Sequence, residues 1–319
     1  MSNRTTPYPF TIAAFGEILW DLLPTGPMIG GAPFNFTHRV HELGHRAVMI
    51  SRVGTDEYGQ RATKKLKTLG LETDFIQLDQ QHPTGTVEVY WDDHGEPDYT
   101  IIPNVAYDHI TYNESLAALV QQADCLCFGT LAQRHADSRG TLQMLLDQFA
   151  GQYALYDINL RQDTYSLPVI RDSLARANVL KLNEDEVAVL AQMLSLPDAS
   201  LTEAGPAVVQ QEGLEYCVIT LGERGVLAFS NQGEQVYVPT FQTNLVDPIG
   251  AGDAFTAGFI HSLLQKHSLT QACRFGNALG ALVASQEGGT QPIERAAVET
   301  ILQKNALGAI DERFDSFLQ

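Results

Sequence analysis

Towards the C-terminal end of the chain stands Val246-Asp247-Pro248-Ile249-Gly250-Ala251-Gly252-Asp253-Ala254-Phe255. Three small residues precede an acid, and small and apolar residues follow it. Glycine and alanine let backbone N–H groups approach a ligand closely. N–H groups at the start of a helix also carry the partial positive charge of its macrodipole. The segment therefore predicts an anion site built from the amides of Gly250, Ala251 and Gly252. Asp253 stands where a carboxylate could accept the proton of an attacking hydroxyl while those amides hold a transferred phosphoryl group. The helix dipole predicts a lowered pKa for it. An aspartate capping a helix after a glycine turn explains the same spacing equally well.

A second glycine turn, Gly30-Gly31-Ala32-Pro33-Phe34-Asn35, opens a helix running towards Leu43. The Asn35 amide offers two donors and an acceptor, which suits a polyhydroxylated ligand. An ordinary loop-to-helix junction accounts for it too. Other glycine-dependent chemistries are excluded. The chain has no Gly-Lys pair, so no Walker A loop. Phe255 stands where the third glycine of a dinucleotide fingerprint belongs, and no G-x-S-x-G elbow is present.

The elements that must position these loops read as strands alternating with helices. Short apolar runs at Thr11–Gly16, Cys125–Gly129, Tyr153–Ile158, Val179–Leu182 and Tyr216–Thr220 predict buried strands. Amphipathic or small-residue segments predict helices over Asp56–Leu69, Ser138–Phe149, Glu184–Leu194, Leu201–Glu212, Ala254–Gln265, Gln271–Glu287 and Pro292–Asn305. Thr86–Trp91 and Tyr99–Ile102 alternate around a polar turn and predict a hairpin. Alternation of this kind implies a largely parallel sheet covered by helices on both faces. The expected organisation is one α/β body spanning 1–319, with β-rich insertions near 17–30 and 84–104.

Composition bounds the partners. Twenty Lys and Arg against 38 Asp and Glu leave a net charge of −18 among 319 residues. That excess argues against nucleic acid or an anionic membrane surface as a partner. Met1–Phe10 carries only Arg4 as a charge and no apolar run of signal-peptide length. No stretch approaches a membrane span. The four cysteines, Cys125, Cys127, Cys217 and Cys273, form no C-x-x-C pair. A cytoplasmic protein is the expectation. Cys125 and Cys127 alternate on one face of a strand as apolar fillers.

Taken together, Gly30-Gly31-x-x-x-Asn35 and Asp247-x-x-Gly250-Ala251-Gly252-Asp253 resemble the ribokinase-like (PfkB-type) carbohydrate kinases. Gly54-x-Asp56-x-x-Gly59, Asn183-x-x-Glu186 and Thr220-Leu221-Gly222-x-x-Gly225 extend the resemblance along the whole chain, in the family's order. Asp157-x-Asn159-x-Arg161 is similar to the fructokinase and 2-keto-3-deoxygluconate kinase branches, and Asp-Ile-Asn-Leu-Arg leans towards fructokinase.

The resemblance implies a three-layer α/β/α sandwich with a mainly parallel central sheet, a small β-sheet lid, and transfer of the ATP γ-phosphoryl group to a ketose. Fructose to fructose 6-phosphate is the first expectation. 2-Keto-3-deoxygluconate kinase, ribokinase and a catalytically silent sugar-binding regulator are the alternatives. Asp253 would be the base and the Gly250–Gly252 amides the anion hole. Asp21, Gly31, Asn35 and Arg161 would contact the sugar. Thr220, Gly222 and Gly225 would lie along the nucleotide, with Asn277 at the adenine wall. Asn183 and Glu186 would organise Mg²⁺ and its waters, since Mg²⁺ takes oxygen ligands and keeps several waters. Asp247, with carbonyls from Ser285–Gly289, would suit a K⁺ site found in some relatives. Pro248 departs from the threonine usual there and removes one backbone donor.

Three further groups have competing explanations. His38, His41 and His45 are spaced for one helix face, either polar or zinc-binding. Trp20 and Trp91, with Tyr90 and Tyr99, form either a small lid core or an aromatic face pairing two lids in a homodimer. Tyr90 shares a strand face with Glu88 and would reach the sugar.

Overall fold

The computed structural model describes residues 8–91, 97–161, 164–196 and 200–318. Thirteen strands and ten α-helices follow one another among them. They are β1 (Thr11–Phe15), β2 (Leu19–Leu23), β3 (Gly26–Gly30), α1 (Ala32–Glu42), β4 (Arg46–Gly54), α2 (Glu57–Thr68), β5 (Ile76–Asp79), β6 (Gly85–Trp91), β7 (Pro97–Ile101), α3 (Glu114–Gln122), β8 (Cys125–Phe128) and α4 (Ala136–Gln148). The second half comprises β9 (Tyr153–Asp157), α5 (Leu167–Leu174), β10 (Val179–Asn183), α6 (Glu184–Leu194), α7 (Leu201–Glu212), β11 (Tyr216–Thr220), β12 (Val226–Ser230), β13 (Gln235–Val238), α8 (Ala251–Leu264), α9 (Leu269–Ala284) and α10 (Arg295–Lys304).

Nine strands form one sheet in the order β13-β12-β11-β10-β9-β8-β1-β4-β5. Every pair is parallel except β11–β12 and β12–β13. Side-chain alternation divides the core into two layers. Ala13, Phe15, Leu126 and Phe128 pack with α3–α7 on one face. Ile12, Ala14, Cys125 and Cys127 pack with α1, α2, α8 and α9 on the other. The two cysteines thus share one face as read from their spacing, and all four cysteines are free and buried. No helix among the described residues is long and apolar enough to cross a membrane.

α3, α5, β4, β5, β12 and β13 are not apparent from the sequence pattern. The last two form an antiparallel edge hairpin around a turn at residues 231–234. The helices expected at Ala254 and Gln271 begin earlier, at Ala251 and Leu269, and the one expected at Pro292 begins later, at Arg295. In the first case Gly250, at φ +78°, takes the left-handed conformation that lets the chain turn straight into α8.

A second sheet of four strands, β3-β2-β6-β7, stands apart from the large one. Its central pair, β2–β6, is parallel, and the outer pairs are antiparallel. These strands occupy the two predicted insertions. Trp20 is buried, donates its indole N–H to the carbonyl of Tyr58 at 3.1 Å and lies under the Arg61 guanidinium. It therefore packs on α2 of its own chain and is not available to a second lid. The side chains of Tyr90, Trp91 and Tyr99 lie outside the described residues.

The Gly54-x-Asp56-x-x-Gly59 motif ties the small sheet to the body. Asp56 caps α2 by accepting from the Gly59 amide at 2.8 Å, and it also accepts from the Thr84 amide and hydroxyl, both at 2.7 Å. A Cβ on Gly59 would stand 1.8 Å from the Gly54 carbonyl oxygen. Gly59→Ala is therefore expected to destabilise the protein by about 1–3 kcal/mol through overpacking, read as a lowered urea midpoint with an unchanged slope.

The three histidines do not form one face. His45 lies beyond the end of α1, and its Nε2 sits 2.7 Å from Nδ1 of His261. His38 is buried, and burial pushes its pKa down to about 3. Neither the polar-face nor the zinc reading of this trio survives.

Candidate functional site

The large sheet reverses its winding at β1, which lies between β8 and β4. In open α/β sheets, ligands bind beyond the strand carboxyl ends at such a switch point. A cleft opens there, lined by Glu17, Ala32, Pro33, Cys127, Gly129, Thr130, Asp157 and Asn159. α1 begins at its rim after Gly31, whose φ is +113°. A side chain at Gly31 would collide with the Glu17 carbonyl, 2.5 Å from its Cβ.

Asp253 lies in the first turn of α8, but it is not a cap. The N-cap is Gly250, with no side-chain hydrogen bond, and Asp253 Oδ2 accepts from Asn35 Nδ2 at 2.9 Å. The capping explanation is therefore replaced by a contact between the starts of α1 and α8. Burial raises the Asp253 pKa, and the nearby Asp157 carboxylate adds to it. The Asn35 hydrogen bond and the Lys181 and Arg161 charges oppose them, and the result is pushed up to about 6. The expected lowering by the helix dipole is overturned, because desolvation costs the charged form more than the dipole returns.

The anion donors also need one correction. The Ala251 amide turns back onto the Pro248 carbonyl at 3.1 Å. The proline-shaped turn uses that donor, so of the three amides expected to hold an anion those of Gly250 and Gly252 remain candidates.

Beneath Asp253 lies a polar cluster in which the sequence motifs named Asp157 but not its partners Lys181 and Thr256. Lys181, buried within β10, stands opposite Asp157 of β9 and places Nζ 3.1 Å from its Oδ1. Thr256 donates to the other Asp157 oxygen at 3.0 Å. Burial pulls the Lys181 pKa down, but Asp157, Glu186 and Asp253 together outweigh it and raise the value. Glu17, only 4% exposed, is pushed by burial up to about 7 against its own backbone amide and Arg161.

On the small sheet, Asp21 reaches over Gly30, where a Cβ would meet its Oδ2 at 2.8 Å. Burial raises its pKa, and Arg161 opposes the rise. Arg161 is exposed, yet its charge is felt by Asp21, Glu17 and Asp253 alike. The structure thus brings Asn35 into contact with Asp253 and puts Asp21 and Asp253 within reach of the Arg161 charge, while Gly31 precedes α1 at the rim of the cleft. Tyr90 cannot be placed with them, for the reason given above.

Asn183 and Glu186 form a reciprocal capping box at the start of α6. Asn183 Oδ1 accepts from the Glu186 amide at 2.9 Å, and Glu186 Oε2 accepts from the Asn183 amide at 2.7 Å. Glu186 Oε1 accepts from the Leu160 amide at 2.7 Å. Burial raises the Glu186 pKa. Each carboxylate oxygen keeps one lone pair. That fits a group holding metal-bound waters better than one ligating an ion alone.

Thr220 ends β11 and donates to the Leu182 carbonyl at 3.3 Å. Gly222 (φ +61°) and Gly225 (φ +101°) shape the turn into β12. At Gly225 any Cβ would lie 2.1 Å from the Val238 carbonyl. Asn277, expected at the adenine wall, lies on α9. It is 5% exposed, and its Nδ2 donates to the Val238 and Pro239 carbonyls, so its donors join α9 to the end of β13. Asp247 accepts from the Ile249 and Gly288 amides, both at 2.9 Å, and staples the α8 entry loop to the segment after α9.

A family model described as pfkB family carbohydrate kinase matches residues 28–296. The chain is 31% identical over 262 residues to a fructokinase of Salmonella typhimurium, covering 78% of this chain and 82% of that one. A solved structure of an uncharacterized sugar kinase from Pyrococcus horikoshii in complex with ATP is 27% identical, with a TM-score of 0.73 over 88% of this chain and 94% of the other. The fructokinase of Xylella fastidiosa with bound ATP is similar in fold, with a TM-score of 0.79 at 24% identity over 92% of this chain and 98% of that one.

Proposed function

The chain belongs to the pfkB family of carbohydrate kinases, and from that premise we propose that this ATP-dependent sugar kinase phosphorylates a ketose, fructose first among them, with Asp253 as the base. The observation that carries the assignment of the base is the half-buried Asp253 carboxylate, raised to about 6, at the glycine-lined start of α8. A general base works best when its pKa lies near the operating pH. The fructokinase name of relatives such as the one from Salmonella typhimurium favours fructose.

In this reading residues 1–319 make one kinase body in the cytoplasm, and the small sheet is a lid. Asp21 and Asn35 accept from and donate to sugar hydroxyls, and Arg161 steadies the anionic side of the cleft. Asp253 takes the hydroxyl proton as the oxygen attacks the γ-phosphoryl group. The Gly250 and Gly252 amides stabilise the charge on the transferred group. Asn183 and Glu186 would hold the waters of Mg²⁺, which neutralises phosphate charge when bound. Asp247 would border a K⁺ ion beside the loop. Thr220, Gly222 and Gly225 line the nucleotide, and Lys181 and Asp157 fix the floor beneath the base.

The test is ADP release with Mg²⁺-ATP across fructose, 2-keto-3-deoxygluconate, ribose, glucose and adenosine, with and without K⁺. Selective turnover of fructose is the expected result. Preference for 2-keto-3-deoxygluconate would assign Arg161 to the substrate carboxylate instead. Silence towards every sugar, with ATP still bound, would favour the regulatory alternative. A pH profile adds a second expectation: kcat/KM falls about tenfold per unit as pH drops below about 6, because Asp253 must be ionised to accept the proton. A flat profile between pH 5 and pH 8 would remove Asp253 as the base.

A further inference from the structure

Three side chains away from the cleft converge at the root of the small sheet. His109 ends a short 3₁₀ turn (Ala106–His109), and His135 and Asp137 stand at the start of α4. His109 Nδ1 lies 2.8 Å from Asp137 Oδ2, and His135 Nδ1 lies 3.6 Å from the same oxygen. One ligand atom of each residue lies within 4.8 Å of those of the other two. Zinc bonds to nitrogen and oxygen of roughly 2.0–2.2 Å in a tetrahedral shell place neighbouring ligand atoms about 3.4 Å apart. Small side-chain rotations bring the trio to that spacing.

The hydrogen bonds around His109 make the case chemical as well as geometric. Its Nε2 lies 3.0 Å from Asn104 Oδ1, an acceptor that suits a protonated Nε2. With the proton there, Nδ1 offers its lone pair towards the Asp137 carboxylate 2.8 Å away, so both groups can serve one ion. An imidazole whose far nitrogen is held by an oxygen acceptor is the usual support of a metal-bound histidine. His82 adds to the enclosure, with its ring stacked on His109 at a centroid separation of 3.8 Å and its Nδ1 3.1 Å from Asp79 Oδ2.

We propose that His109, His135 and Asp137 bind a divalent transition-metal ion of the zinc class, with water as the remaining ligand. Two imidazoles and a carboxylate suit Zn²⁺ and Ni²⁺ and disfavour Mg²⁺, which prefers oxygen. The site is distinct from that of the nucleotide metal. Its place gives it a mechanical meaning: His82 precedes β6 and Asn104 follows β7, so an ion here ties both roots of that hairpin to α4. His135 and Asp137 side chains are 43% and 55% exposed, which leaves an entry path.

Equilibrium dialysis of the tag-free, chelator-treated full chain against micromolar ZnCl₂ tests the site. One Zn²⁺ per chain is expected, with a raised Tm, and Co²⁺ in its place should show the intense visible bands of four-coordinate cobalt. His135→Ala and Asp137→Asn, both surface changes, should each weaken Zn²⁺ binding at least tenfold. They should leave Mg²⁺-dependent turnover without zinc unchanged. No stoichiometric zinc in the wild-type chain would overturn the proposal. Equal binding by two folded variants would overturn it too.

Discussion

Asp253→Asn is expected to lower kcat by about 10²–10⁴-fold, the range that a positioned base contributes, while sugar and ATP still bind. Asparagine keeps the shape, and its side-chain oxygen can still accept from Asn35 Nδ2, the 2.9 Å contact that joins α1 to α8. Binding should therefore survive where proton transfer does not. Titration calorimetry with sugar alone, beside initial rates of ADP release, separates the two. The same variant should be more stable than the wild type at pH 7. The folded pKa of Asp253 is raised from 3.8 to about 6, so across that window the folded chain binds more protons than the unfolded one. Its contribution to stability therefore falls as pH rises through the window and stays low at neutrality. Removing the charge removes that cost. Wild-type turnover by the asparagine variant would rule Asp253 out as the base.

Lys181→Met should do the opposite to stability. The ammonium is the cation in a buried group with Asp157, Glu186 and Asp253, and it holds Asp157 at 3.1 Å. Deleting one partner of a buried ion pair costs roughly 3–5 kcal/mol, because the other charge stays buried without compensation. Here three carboxylates lose a common counter-ion. Urea unfolding should show that loss. The acidic limb of kcat/KM should move to higher pH, since Lys181 is one of the charges that hold the Asp253 pKa down. A loss below 1 kcal/mol with an unmoved limb would place the Lys181 charge outside the electrostatics of the site.

The contrast between these two residues shows what the sequence could reveal. Asp253 sits in a contiguous run whose small residues announce a close backbone approach, and the Asn183-x-x-Glu186 motif is equally local. Both are legible because the residues that cooperate are neighbours in the chain. Lys181 and Asp157 cooperate only because β10 lies beside β9 in one register. The available signal was a lysine inside the otherwise apolar Val179-Leu180-Lys181-Leu182, which demands a partner from somewhere. Glu17 gave a similar hint by following a buried strand directly. The tie that Asn277 makes was not legible, because a position in a helix says nothing about which way an amide turns; the carbonyls at the end of β13 decide that. The pKa of Asp253 was misjudged since the dipole is written in the helix, whereas desolvation is written in everything packed around it.

The parallel pairing of β2 with β6 bears on how the molecule assembles. A parallel pair cannot be closed by a tight turn, and Leu19 faces Gly85 across a long stretch of intervening chain. That stretch contains α1, β4 and α2, which belong to the large body. Loop-closure entropy must be met before such distant contacts give any return. The two hairpins β2–β3 and β6–β7 can form early as isolated ribbons, but the four-stranded sheet exists only once the body has brought them together. The small sheet is thus expected to be a late product of folding. A nascent chain is expected to complete the nine-stranded body and the four-stranded sheet in separate steps, the small sheet second.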